Sequence, residues 1–215
     1  MYIYQLDRAL LVQQVHAAAH YLHGRVLDVG SGTFARYKLP ESAHSCVRMD
    51  VAPGPNVDVV GRAESIPFPD ASFDSVISTQ VLEHVEEPER VVQEINRILK
   101  KGGHALITVP QWNELHEEPY DYWRYTCYGL QTLFERHEFE LVGMEQRGGY
   151  HSLHAQLSMR FLIDFYHLHN RPIVGRIMSR VFRAWGTVAI WRDARDHSPA
   201  NRKHTIGWCA VFRKI

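Results

Sequence analysis

Val26-Leu27-Asp28-Val29-Gly30-Ser31-Gly32 decides how the chain is read. A short aliphatic run ending in two glycines one residue apart reads as a buried strand entering a tight turn. Glycine is needed there because it adopts left-handed backbone cheaply and lets the main chain come close to a ligand. Outward from this stretch, residues 47–51, 57–60, 73–78 and 105–109 repeat the pattern of a short apolar run bounded by Gly, Pro or Asp. A helix is expected between the last two. Pro88 opens it, Glu86, Glu87 and Glu89 suit its positive end, and Val91, Ile95, Ile98 and Leu99 line one face. Lys100, Lys101 and Gly102 close it. A second helix at about 128–137 and a strand at 140–146 follow. Strand and helix in this rhythm imply parallel strands joined by right-handed crossovers, so the expected class is α/β with a doubly wound sheet. Such sheets bind ligands beyond the carboxyl ends of their strands, where the strand order reverses.

A chain of 215 residues buries roughly 70% of its unfolded surface, enough for one core without disulfides or metal. The expected organisation is one domain over residues 1–215. It has an N-terminal helix at 1–23, a ligand-binding core at 24–148, a helical insertion at 150–202 and a final strand at 203–215. Asp7 and Arg8 lie too early for a leader sequence, and Leu11, Val15, Ala18 and Leu22 recur at helical spacing before Gly24. Cys46, Cys127 and Cys209 are scattered with no CxxC pair, which argues for a reducing compartment and against a structural zinc site. A cytoplasmic location is expected, peripheral at the membrane if the insertion binds lipid.

Gly30-x-Gly32-x-x-Ala35 also fits a dinucleotide fingerprint, so a nicotinamide-dependent oxidoreductase is a rival. Asp28 counts against it, because a carboxylate before the turn repels a pyrophosphate and attracts an ammonium group. Pro40 follows Ala35 so closely that little helix is left to bind phosphate. Asp50 stands 22 residues beyond Asp28, at the end of the second strand, where a carboxylate accepts hydrogen bonds from both hydroxyls of a ribose.

Further segments add specificity: Gly61-Arg62-Ala63-Glu64-Ser65-Ile66-Pro67-Phe68-Pro69-Asp70, then Phe73-Asp74-Ser75-Val76-Ile77-Ser78 with Val81-Leu82-Glu83-His84-Val85, then Leu99-Lys100-Lys101-Gly102-Gly103. Tyr122-x-Arg124-Tyr125-Thr126 and Thr205-Ile206-Gly207 follow. In this order and spacing, over about residues 24–148, the chain resembles the class I S-adenosylmethionine-dependent methyltransferases, in their small-molecule, type 11-like branch. The resemblance implies a seven-stranded Rossmann-like sheet whose last strand, near 204–213, is antiparallel. It implies S-adenosyl-L-methionine as cofactor, bound by Asp28, Gly30, Ser31, Gly32, Asp50, Val51, Ala63, Glu64, Thr79 and Gln80. The Asp28–Gly32 turn would take the methionine end, Asp50 the ribose, and Ala63-Glu64 would flank the adenine. Thr79-Gln80 would lie under the cofactor. The family often has a third glycine where Phe34 stands and an acidic residue where Arg62 stands, so an adenine amino contact would fall to the Ala63 backbone.

Methyl transfer from a sulfonium requires a nucleophile held in line in a dry site, about 3 Å from the methyl. The expected catalytic residues are His84, His116 and Tyr125, and the expected acceptor-binding residues are Tyr120, Trp123 and Arg124. Packing roles compete for the aromatics, and an ion pair with Asp121 competes for Arg124. His16 and His20 have metal-binding spacing but no completing ligand, so they read as a solvated helix face and no metal is expected.

Residues 1–150 carry 13 Lys/Arg against 21 Asp/Glu, and residues 151–215 carry 11 against 3. The acidic ligand-binding part disfavours nucleic acid as a partner and leaves a small-molecule or lipid- or sugar-linked acceptor. In the basic insertion Leu153, Leu157, Phe161, Phe165 and Leu168 form one apolar stripe. Ile173, Ile177, Val181 and Trp185 form another, with Arg176, Arg180 and Arg183 on a different face. A lid over the acceptor, a homodimer contact and a peripheral membrane contact through 153–185 all fit this pattern, the first two better. A non-catalytic methyltransferase-like scaffold is a further alternative.

Overall fold

The computed structural model describes residues 3–32, 37 and 40–215. Among them α1 (Leu6–Ala18) leads to β1 (Gly24–Val29), β2 (Ala43–Asp50), β3 (Val59–Val60) and β4 (Phe73–Thr79). Next come α2 (Pro88–Ile98), β5 (Leu99–Pro110), α3 (Cys127–Glu135) and β6 (Phe139–Gln146). The chain ends with α4 (Tyr150–Phe165), α5 (Pro172–Asp193), α6 (Pro199–Arg202) and β7 (Gly207–Lys214). The strands form one seven-stranded sheet in the order β3-β2-β1-β4-β5-β7-β6. Pairings of β1 with β2, β1 with β4, β2 with β3 and β4 with β5 are parallel. The last strand reverses. Ile206 N–H donates to the Arg147 carbonyl near the start of β7, and Ile215 N–H donates to the Glu138 carbonyl at its other end. Partner numbers that fall as the strand advances are the mark of antiparallel pairing. The strand order therefore changes direction at β1 and β4, as the sequence pattern anticipates.

Burial explains why these runs are strands. In β4 the pattern is almost wholly buried, and Val26 and Leu27 of β1 are fully so, as expected of parallel strands covered on both faces. Val91, Ile95 and Ile98 of α2 pack with Leu27, Phe73, Val76 and Ile107 in one core. Phe134 and Phe212 stack at 4.1 Å at the α3–β7 side of that core.

Two sequence expectations change. Helix α2 stops at Ile98, and Lys100, Lys101 and Gly102 belong to β5, where Gly102 takes a left-handed φ of 77°. Strand β3 shrinks to two residues because Val57 N–H turns back to the Gly54 carbonyl. The expected short helix after the glycine turn, with Phe34 and Ala35, lies outside the described residues.

The chain divides into two compact units. Residues 12–110, 115–145 and 208–215 make the unit that holds most of the sheet; residues 1–11, 111–114 and 146–207 make the other. The first residues thus share a core with the insertion: Ile3, Tyr4, Leu6 and Leu10 cluster with Met159, Ile163 and Phe182. The expected apolar stripes are only partly inside. Leu157, Phe161, Phe165, Ile173, Ile177 and Val181 are exposed, while α4 buries Ser152, Ala155, Gln156, Met159 and Ile163. In α5 the inward face is Gly175, Phe182, Gly186 and Ala189. Small residues win there because they allow close approach: a Cβ on Gly186 would meet the Tyr4 hydroxyl at 3.0 Å. Among the described residues no helix is long and apolar enough to cross a membrane.

Arg147, fully buried, donates to Asp7 at 2.9 Å inside the second unit. Removing one partner of a buried ion pair strands the other charge. Asp7→Ala should therefore lower stability by about 3 kcal/mol in urea unfolding. A loss below about 0.5 kcal/mol would mean that the pair behaves as a solvated surface bridge.

Candidate active site

The glycine turn ties the tips of β1 and β2 together. Gly30 and Gly32 have φ of 71° and 69°, a conformation that only glycine takes readily. Gly30 and Ser31 N–H both donate to the Met49 carbonyl, at 2.9 and 3.1 Å. Gly32 N–H donates to Asp50 Oδ2 at 2.8 Å, and Ala52 N–H to Oδ1 at 3.2 Å. A carboxylate accepts about four hydrogen bonds, so Asp50 retains capacity for two hydroxyl donors. Asp28, on the neighbouring strand, is 5% exposed and accepts the Tyr37 hydroxyl at 2.8 Å. A Cβ on Gly30 would lie 2.2 Å from Val81 Cγ2, so Val81 packs directly on the turn and only glycine fits there.

On the far side of β2 the 61–70 segment is fixed from α2. Ile66 N–H donates to Glu94, and the Arg97 guanidinium donates to Glu94, to Asp70 and to the carbonyls of Ile66 and Phe68. Hydrogen bonding from Arg97 holds the Glu94 carboxyl below the usual range. Ala63 is buried at the inner side of this segment, and Arg62 donates to Glu64 at 2.7 Å on its exposed side. Val51 is exposed.

The end of β4 supplies hydroxyls. Ser78 and Thr79 are buried, and neither side-chain oxygen has a hydrogen-bond partner among the described residues. Gln80 turns left-handed at φ 55°, its N–H donating to the Thr108 carbonyl at 2.9 Å and its side-chain amide to Thr108 Oγ1 at 3.3 Å. Two carboxylates, a turn with glycine at two of its three positions and unmatched hydroxyls fit a nucleoside that carries an amino acid. Arg62, the basic side chain of the 61–70 segment, is paired with Glu64.

The acceptor candidates fall on a 3₁₀ turn, Leu82–His84, and on residues 116–125. Tyr122 and Trp123 N–H donate to the Glu83 carbonyl at 2.8 and 3.2 Å, which clips the two segments together. His84 Nδ1 lies 2.6 Å from the Tyr120 carbonyl, and the His84 and His116 rings meet edge to face at 4.9 Å. Tyr120 is exposed, and the Trp123 indole donates to the Val85 carbonyl at 2.8 Å.

Two expectations are corrected here. Tyr125 is no base: its hydroxyl is buried, donates to the Leu82 carbonyl at 3.0 Å, and burial pushes its pKa far above the phenol range. Arg124 is no open clamp, because it grips Asp121 with both arms at 2.6 and 2.7 Å. The sequence pattern assigns no role to Glu83, Glu94 or Arg97, whereas the Arg124–Asp121 pair is the alternative it offers for Arg124. Glu83 was in view within Val81–Val85, but its full burial had no signal in the local pattern.

Comparison with known proteins agrees with this geometry. Residues 27–107 match the family described as a methyltransferase domain. A phosphatidylethanolamine N-methyltransferase of Cereibacter sphaeroides is 32% identical over 101 residues, covering 39% of this chain and 49% of that protein. An uncharacterised protein of Methanocaldococcus jannaschii is 30% identical over 97 residues, covering 42% and 46%. The chain thus spans about half the length, or less, of the curated relatives it matches. Among solved structures, the [4+2]-cyclase SpnF superimposes with a TM-score of 0.60 at 22% identity, over 97% of this chain and 80% of that one. A Burkholderia thailandensis 1,6-didemethyltoxoflavin-N1-methyltransferase, solved with S-adenosylhomocysteine, gives 0.58 at 14%, over 97% and 78%. At these identities the structural likeness speaks for the fold.

Asp121 sets a pH dependence. The Arg124 hydrogen bonds, followed by the His116 amide, hold its carboxyl down to about 2, from an ordinary 3.8. The lowered value means that the carboxylate stabilises the folded chain fully above about pH 4 and stops doing so as pH falls toward 2. Asp121→Asn should cost about 2 kcal/mol at pH 6. In urea titrations the gap to wild type should narrow at pH 3, and a gap independent of pH would remove the charge from this account.

Proposed function

We propose that this chain, a class I S-adenosylmethionine-dependent methyltransferase by its 27–107 domain, transfers a methyl group to a small-molecule, lipid-linked or sugar-linked acceptor. The observation that carries the reading is the pair of carboxylates at neighbouring strand tips, Asp28 on β1 and Asp50 on β2, beside a turn whose second glycine donates to Asp50. The cofactor supplies an activated methyl on a positive sulfur. Asp28 holds its ammonium end, with Gly30, Ser31 and Gly32 giving close backbone approach. Asp50 accepts the ribose hydroxyls, with Val51 beside it. Ala63 and Glu64 flank the base, and Thr79 and Gln80 support the reacting end. His84 and His116, whose rings meet edge to face, serve the acceptor in this reading, with Tyr120 and Trp123 forming its wall.

Several observations support this division of labour. The amide of Gly32 already orients Asp50 before any ligand arrives, which lowers the ordering cost of binding. The Arg97–Glu94 network fixes the 61–70 segment in the same way. The relative from Cereibacter sphaeroides is named for a phospholipid substrate, and the exposed Leu157, Phe161 and Phe165 of α4 offer an apolar surface. Lipid-linked acceptors stay in the class for that reason. The cyclase among the structural neighbours is a reason to test cofactor binding directly.

Thermal unfolding with S-adenosylhomocysteine, S-adenosylmethionine and nicotinamide dinucleotide separates the readings. At a hundred times the dissociation constant, a true ligand adds about 2.7 kcal/mol. Both sulfur nucleosides should stabilise the wild-type chain, and Asp50→Ala should abolish the response. Stabilisation by the nicotinamide dinucleotide alone would reverse the assignment to an oxidoreductase, and no response to any of the three would favour a scaffold.

A further inference from the structure

We propose that Glu83, His84 and His116 form a binding site for one first-row divalent metal ion. One ligand atom from each, a carboxylate oxygen and two imidazole nitrogens, lies within 4.8 Å of the others. Two imidazoles and one carboxylate form a donor set that suits zinc, iron, cobalt or manganese, and three protein ligands leave positions open for water or substrate. Ligand atoms each about 2.1 Å from a shared tetrahedral ion stand about 3.4 Å apart, so side-chain rotations that draw the three atoms together by up to about 1.4 Å close the site.

The surroundings orient these ligands. His84 Nδ1 is 2.6 Å from the Tyr120 carbonyl, which directs Nε2 to ligation. His116 Nδ1 lies 3.4 Å from Asp121 Oδ2, and the same oxygen accepts the His116 backbone N–H at 3.0 Å. Asp121 is itself gripped by Arg124. A carboxylate behind one ring nitrogen and a carbonyl behind the other ring are the supports that metal-bound histidines ordinarily have, because they fix tautomer and ring plane. Glu83 is fully buried, and the peptide of the Leu82–His84 turn is clipped to residues 122–123 through its own carbonyl. The third ligand is thereby held on a rigid turn, while the two half-buried histidines leave the approach for the ion. A cation here departs from the sequence expectation of no metal. The cue was invisible because Glu83-His84 and His116 are 32 residues apart and meet only in the fold.

The test uses chelator-treated full-length chain titrated with cobalt(II) chloride alone, without nucleoside. Visible absorption and calorimetry should both report one ion per chain, and excess zinc should displace it while millimolar magnesium should not. His116→Ala and His84→Ala should each weaken cobalt binding at least tenfold, whereas His169→Ala, in the other unit, should not. The response to S-adenosylhomocysteine checks that each variant is folded. Its failure in wild type would sink the cofactor reading and leave this one standing. No cobalt binding by the native chain, or binding unchanged in both histidine variants, overturns the proposal.

Discussion

The left-handed backbone at Gly30 and Gly32 is the constraint on which the site depends. It lets two successive amides reach one carbonyl of β2 and a third reach the Asp50 carboxylate, so strand pairing continues past the ends of the strands. Any Cβ at Gly30 would strike Val81, the first residue of the segment leading to Glu83 and His84. The same small volume therefore joins the expected cofactor floor to the start of the acceptor wall. A single methyl group there would disturb both, through steric overlap as well as through strain of about 1–3 kcal/mol in the backbone.

Around that turn, fixed positions come from hydrogen bonds made before any ligand is present. Arg97 braces the 61–70 segment, Gln80 is locked to Thr108, and the Glu83 carbonyl receives two amides from the loop opposite. Each bond contributes little net stability, about 1 kcal/mol, but each removes a freedom that a ligand would otherwise have to freeze. The unmatched hydroxyls of Ser78 and Thr79 are the exception, buried donors at the carboxyl end of β4 whose cost a ligand can relieve.

Most of the fold was legible because its strands announce themselves. The runs at 26–29, 73–78 and 105–109 are short, rich in aliphatic residues and almost wholly buried, and Pro88 marks a helix start that the structure keeps. The sheet order and antiparallel last strand were legible only through the family resemblance, since no local pattern encodes strand neighbours. What failed were features decided by tertiary contact. Helix α4 turns Phe161 and Phe165 outward because Ala155, Gln156, Met159 and Ile163 face its core, a choice that hydrophobicity alone does not reveal. Tyr125 and Arg124 looked chemical by type, yet burial against Leu82 and pairing with Asp121 give them structural duties. Glu83 and His116 became a pair only once the loop after β5 folded back on the turn after β4.

The central claim is that Asp28 holds the amino-acid end of a nucleoside whose sugar lies at Asp50. Calorimetric binding of S-adenosylhomocysteine and of methylthioadenosine, which keeps the sugar and base but lacks the amino acid, to wild type and to Asp28→Asn tests it directly. The account predicts at least a tenfold loss for the first ligand, equivalent to about 1.4 kcal/mol, and no change for the second. Equal losses for both, or none for either, would contradict it.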